Sequence, residues 1–371
     1  VPSVVFYISG HGFGHASRET EVIHALAALR PDWPIVLRTA VSPSLLSRSL
    51  TVPVTLLEGP CDTGIVQRDS VTHDDAATAA AALTFHATWD ARADEECRRL
   101  APHTPRVIVG DIPPLAFEVA ARLQVPSVAI ANFTWDWIYE WYPPLRDAPG
   151  LLEQIRGAYG KATLALRLPF APVFDQFSRV EDLPLVARVS RQPRHVTRHA
   201  LGIPRDRRVA LLSFGGYGLQ RLDVAGLDCL DDWTVLLTDR LSSTIAPSPH
   251  VVFVDESRLA AEFRYEDLVA ASDVVVTKPG YGVLSECAAA GTALLYTSRG
   301  HFREYDLMVQ EMPRLLRSRF LSQEALFAGR WKAALEALLT QPPPPVRADV
   351  TGAARAAARI VEQAERATSG R

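Results

Sequence analysis

The chain is short of several things, and each shortage closes off a class of function. Its four cysteines, Cys61, Cys97, Cys229 and Cys287, are widely spaced and lie in no CxxC or His/Cys ligand pattern. That speaks against a disulfide framework or a zinc site and fits a reducing cytoplasm. Lysine is scarce, with Lys161, Lys278 and Lys332 the only three among 39 basic residues. The net charge is −3, so nothing overall draws the chain to nucleic acid. No apolar run reaches the roughly 18 residues that a membrane span needs. The first residues carry no basic leader and run straight into a strand-like stretch. The expectation is a cytoplasmic protein without integral membrane association, with peripheral contact left open.

What is present is globular. Hydrophobic residues make up 48% and charged residues 22%, and the 371 residues suit two domains of about 150 to 200 each. In the first part, short β-rich runs alternate with alanine- and leucine-rich stretches: VVFYIS (4–9), a helix over 17–29, IVLRT (35–39), a helix over 72–100, VIVGD (107–111), a helix over 116–123 and SVAIAN (127–132). Such alternation predicts right-handed crossovers and a doubly wound parallel sheet. Between 172 and 208 the periodicity fades into proline and arginine, which reads as a linker, either a solvated connector or an anion-contacting surface. Alternation resumes with VALLSF (209–214), WTVLLT (233–238), HVVFV (250–254), a helix through 268–271, DVVVT (273–277), a helix over 283–290 and ALLYT (293–297). QPPPP (341–345) stops it, and 351–366 reads as an amphipathic helix with Ala354, Ala358 and Val361 at helical spacing. The expected fold class is α/β: two doubly wound, Rossmann-like domains facing a cleft, over residues 1–180 and 181–345, with 346–371 returning as a helix to the first domain.

In open α/β sheets, ligands bind beyond the carboxyl ends of the strands, so site residues should follow strands directly. After the first strand comes GHGFGH (10–15). It is not a dinucleotide fingerprint, because histidines occupy the spacing and the second strand ends in Arg38 and Thr39 rather than an acid. His15 is a candidate general base or a structural helix-start residue, and His11, Gly12, Gly14 and Arg18 flank it on what would be the acceptor side. Asp111 ends VIVGD and either orients the His15 imidazole or caps the turn before Pro113. NFTWDWIYEWY (132–142) offers Asn132, Trp135 and Asp136 to an acceptor, or else forms core. In the second part, SFGGYG (213–218) and KPGYGVLSE (278–286) each follow a strand. As backbone nests for a diphosphate they would use Gly215, Gly216, Gly218, Gly280, Tyr281 and Gly282, with Lys278 as a point charge and Glu286 on ribose hydroxyls; as plain turns they would do none of this. TSRGHFREYD (297–306) adds His301 and Glu304 toward a donor sugar, or is a solvated loop.

These motifs resemble GT-B glycosyltransferases, in particular the bacterial N-acetylglucosaminyltransferase that completes lipid II, whose later glycine and SE…AAG helix is similar to PGYGVLSECAAAG (279–291). Plant secondary-metabolite glucosyltransferases look similar in the His15 and Asp111 pairing. Nearly the whole chain is also similar to the amino-terminal, non-kinase half of plant L-arabinokinases, through GHGFGHASR (10–18), ANFTWDWIYEWY (131–142), LRLP (166–169), SFGG (213–216) and KPGYGVLSE. The chain has no glycine/serine-rich ATP loop, so sugar-1-kinase activity is not expected. The resemblance implies transfer of a hexosyl or pentosyl group from a nucleoside-diphosphate sugar to a hydroxyl acceptor, with inversion. No DxD occurs, so no cofactor or metal is expected beyond the nucleotide sugar itself. Where many such enzymes grip the donor with an acidic/glutamine pair, this sequence reads HFREYD (301–306), which leaves the donor open. The rival expectations are a nucleotide-sugar epimerase or hydrolase, and a non-catalytic sugar-nucleotide-binding regulatory module.

Overall fold

The computed structural model describes residues 1–11, 13–67, 72–214, 222–223, 225–238, 250–254, 262–300 and 302–369. The chain divides into two units, the first made of Val1–Val66, Asp74–Val186 and Asp349–Arg371, the second of Gln67–His73 and Ala187–Ala348.

Unit 1 is built on a seven-stranded sheet of β1 (Ser3–Ile8), β2 (Ile35–Thr39), β3 (Thr55–Glu58), β4 (Pro105–Asp111), β5 (Ser127–Ala131), β6 (Leu164–Arg167) and β7 (Val180–Asp182), in the order β3-β2-β1-β4-β5-β6-β7. Every pairing is parallel. β1, β2 and β5 are buried along their whole length, which is why they read as largely apolar runs without alternation. Strand order reverses between β1 and β4, and there Ile8 lies opposite Asp111.

Unit 2 repeats the plan with six parallel strands, β8 (Arg208–Leu212), β9 (Trp233–Leu237), β10 (Val251–Phe253), β11 (Val274–Thr277), β12 (Ala293–Tyr296) and β13 (Ser318–Phe320), ordered β10-β9-β8-β11-β12-β13. Its reversal lies between β8 and β11, and Trp233, Trp331 and Phe214 anchor the core beneath.

Several local expectations need correction. The helix expected over 72–100 is two, Asp75–His86 and Trp89–Leu100. Thr88 has non-helical backbone angles and its hydroxyl donates to Phe85 O at 3.3 Å, the local competition by which threonine interrupts helices. The first helix begins at Phe13 rather than at 17, so His15 sits in its first turn. The stretch 172–208 is not a plain linker: it contains β7 and the helix Arg194–Ala200, and Arg194 and Arg198 both pair with Asp273 inside unit 2. The C-terminal helix, Gly352–Ser369, belongs to unit 1 and lies along the Phe13–Leu29 helix, with Arg30 bonded to Glu365 at 2.6 Å. Its buried face is Ala356, Ala357, Ile360 and Ala364, while Ala354 and Ala358 are exposed. Alanine lies on every side of this helix, so spacing alone could not choose the face.

Candidate active site

The helix Phe13–Leu29 follows β1, and its first turns carry His15, Arg18 and Glu19 at spacings of i, i+3 and i+4. Those spacings put three side chains on one helical face. The face looks onto Asp111, the last residue of β4 and fully buried. The parallel pairing of β1 with β4 therefore brings together residues 96 apart in sequence.

His15 Nδ1 lies 2.9 Å from Asp111 Oδ1. Arg18 donates through Nε to Asp111 Oδ2 at 2.6 Å and through Nη2 to Oδ1. Its Nη1 donates to Asn132 Oδ1, just beyond β5, at 2.6 Å. Burial by itself would raise the Asp111 carboxyl, but the charges of Arg18 and His15 and their hydrogen bonds outweigh it and hold the group at about 2. Arg18 Nη2 also lies 3.1 Å from His15 Nδ1; in the tautomer in which Nδ1 donates to the Asp111 carboxylate, Nε2 keeps its lone pair. The ring packs edge-on against Phe133, with centroids 5.5 Å apart. The arrangement can accept a proton and stabilise the resulting imidazolium.

Two carboxyls that sequence reading missed complete this cluster. Glu19 is fully buried. Asp62, half-buried in the loop after β3, accepts from Trp135 Nε1 at 2.9 Å. Burial pushes the Asp62 carboxyl up, against the pull of a hydrogen bond from Ser9, the His15 charge and the Trp135 bond. The loop is clamped by Arg38, which donates to the carbonyls of Gly59 and Pro60 and pairs with buried Glu96. Gly64 in that loop has φ +61°, and an added Cβ would lie 2.7 Å from His11 Cβ. Only glycine takes that conformation cheaply, and it seats His11, whose Nδ1 accepts from Ile65 N at 3.2 Å while its ring meets Trp135 edge-on. A run such as DTG signals a turn in sequence; nothing in it signals His15.

The other residues expected on the acceptor side divide. Trp135 is 1% exposed and stacks on Tyr139. Asp136 is buried, accepting from Gln176 at 2.9 Å and Arg156 at 3.0 Å. This aromatic segment packs as core of unit 1, apart from half-buried Trp137 and exposed Trp141. Gly14 is exposed in the first helical turn, and Gly12 lies outside the described residues.

In unit 2, Ser213 continues β8 with its N–H on Val276 O at 3.1 Å, which sets it beside the end of β11. Gly215, Gly216, Gly218 and His301 lie outside the described residues. Lys278 follows β11, and Gly280 is the N-cap of the helix Tyr281–Ala290, with no side chain capping it. Its first-turn N–H groups, Gly282 among them, have no acceptor within the helix, as at any helix start. Glu286, 3% exposed, takes Arg188 Nε on Oε1 at 2.6 Å, and Glu266 lies 3.7 Å from the same guanidinium. Burial opposes the Arg188 charge, but Glu286 and Glu266 hold its pKa above the ordinary arginine value. Tyr265 donates to Ser213 Oγ at 2.8 Å beside them. Glu304 is buried in the first turn of the helix Glu304–Glu311.

Comparison with solved structures decides the architecture. The calicheamicin glycosyltransferase CalG4 matches 99% of this chain and 97% of its own, with a TM-score of 0.60 at 16% identity. The glycosyltransferase SnogD from Streptomyces nogalater matches 98% of this chain and 99% of its own, with a TM-score of 0.58 at 18% identity. Arabidopsis thaliana UGT89C1, complexed with quercetin, matches 100% and 98%, with a TM-score of 0.62 at 14% identity.

The fold is GT-B.

In sequence, this GT-B chain is 28% identical over 348 residues to an L-arabinokinase of Arabidopsis thaliana, which covers 91% of the chain. The chain spans about a third (32%) of that relative's length. No protein-family model matches it. Among the described residues of this GT-B chain, no helix is long and apolar enough to cross a membrane.

Proposed function

We propose that this chain is an inverting, metal-independent glycosyltransferase that moves a hexosyl or pentosyl group from a nucleoside-diphosphate sugar to an acceptor hydroxyl. The observation that carries the reading is the His15–Asp111 pair at the carboxyl ends of β1 and β4, the switch point of unit 1. His15 Nε2 takes the hydroxyl proton as the acceptor oxygen bonds to the anomeric carbon and the diphosphate leaves with its electron pair. A single displacement inverts that carbon. Asp111 stabilises the imidazolium through Nδ1–H. Unit 2 supplies the nucleotide contacts: Lys278 and the first-turn N–H groups of the helix Tyr281–Ala290 meet the leaving diphosphate, and Glu286, positioned by Arg188, takes the ribose.

Solved neighbours complexed with UDP-2-fluoro-glucose and with UDP-L-rhamnose support a uridine nucleotide as the first donor class to try. The His15→Ala variant tests the reading. Transfer falls by roughly 10²–10⁴-fold while calorimetric donor binding persists and wild-type turnover survives a chelator. Full activity in that variant removes His15 as the base.

One observation favours a second reading. Arg18 already neutralises Asp111, as suits a non-catalytic nucleotide-sugar-binding module. Donor binding with no turnover across a broad acceptor panel would select it over the transferase.

A further inference from the structure

Glu19 presents a problem that the mechanism above does not use. Its side chain is fully buried, and among the described residues no N–H or O–H donor reaches either carboxyl oxygen. An ionised carboxylate so placed would bear its whole desolvation cost uncompensated. The helical face it shares with His15 and Arg18 looks onto another buried carboxyl, Asp111, which both of those side chains reach. Two adjacent buried carboxyls cannot both be anionic cheaply, so one holds a proton and donates to the other.

Which one holds it follows from their partners. Asp111 receives His15 and two bonds from Arg18, whereas Glu19 receives none. We infer that Glu19 is a positioning residue of the His15–Asp111 pair: a neutral carboxylic acid on the helical face of His15 and Arg18 that donates its hydrogen to Asp111. Burial first, and the Asp111 charge second, push the Glu19 carboxyl well above the ordinary range, with Arg18 opposing. With this bond, donors from His15, Arg18 and Glu19 meet Asp111, its carboxylate plane is fixed, and part of its charge is drawn away from the imidazole. Among the described residues, the charged and titratable groups around the His15–Asp111 pair are Arg18 and Glu19 on the helix of His15 and Asp62 from the loop after β3.

This inference rests on His15 as the base, yet its test needs no turnover, so an inactive protein would remove the function and leave the inference standing. The experiment is an NMR titration of labelled His15 in the full chain, for wild type, Glu19→Gln and Glu19→Met. If Glu19 is a neutral donor, glutamine replaces it through its amide N–H and the His15 midpoint stays within about 0.2 units. Methionine removes the donor without removing charge, and the midpoint rises by up to about one unit. If Glu19 is ionised, both variants delete a negative charge and both midpoints fall. A fall in both, or no change in either, overturns the inference. Should Glu19→Met fail to fold, isotope-edited infrared spectra of wild type against Glu19→Gln at neutral pH decide it. A carboxylic acid C=O band that disappears with the glutamine supports the inference, and its absence from wild type refutes it.

Discussion

At the switch point of unit 1, β1 and β4 end in side chains that answer one another: His15, Arg18, Glu19, Asn132 and Asp111 form one buried polar cluster. At the switch point of unit 2, β11 is followed by a lysine and a helix start that no side chain caps, and the buried Glu286 behind them, paired with Arg188, sits within that helix and not at its tip. The same strand order thus serves two purposes. A charged side-chain network can hold a proton acceptor at a fixed angle, but it leaves no room for a large anion. Free backbone N–H groups can cradle an anion but cannot titrate. The contrast means that changes in unit 1 should register first as lost stability, and changes in unit 2 as lost ligand affinity.

The largest effect expected is that of Arg18→Met. It leaves Asp111 buried without its counter-charge and should cost about 3–5 kcal/mol in chemical denaturation of unit 1. A loss below about 1 kcal/mol would mean that Asp111 is not held as an anion. Acid should expose the same group. The Asp111 pKa is lowered from 3.8 to about 2, so its contribution is present above pH 4 and is lost as the pH falls from about 4 through about 2. That amounts to about 2 kcal/mol, and Asp111→Asn should remove this part of the acid limb. Smaller is Lys278→Ala, which should weaken nucleoside-diphosphate-sugar binding about tenfold by calorimetry and leave the melting of unit 1 unchanged. If it instead destabilises unit 2 as severely as Arg18→Met does unit 1, the contrast between the two switch points collapses. Smallest is Gly64→Ala, which puts a Cβ against His11 at positive φ and should cost about 1 kcal/mol, with a change in the His11 ring resonances as its signature.

Much of the plan was legible in the chain. Buried parallel strands read as apolar runs whatever packs around them, and because ligands meet α/β sheets at strand ends, His15, Asp111 and Lys278 stood out by position alone. Short strands such as β3 and β7 did not, since four or three residues that are half exposed carry no periodic signal. The Arg18 bond to Asp111 escaped for a different reason: an arginine at the sixth position of a helix looks the same whether it faces solvent or a carboxylate 93 positions away.

The sequence by itself determined the two α/β units, the strand-end placement of histidine, aspartate, glycine and lysine, and the specific motif strings, because these depend on local composition and period. The tertiary structure alone decided who pairs with whom. It turned Arg18 from a candidate acceptor contact into the counter-ion of Asp111, tied Glu286 to Arg188, brought in Glu19 and Asp62, and chose the buried face of the final helix. Pairing energies and pKa values depend on distance and burial, and these are set by strand order across about a hundred residues of chain.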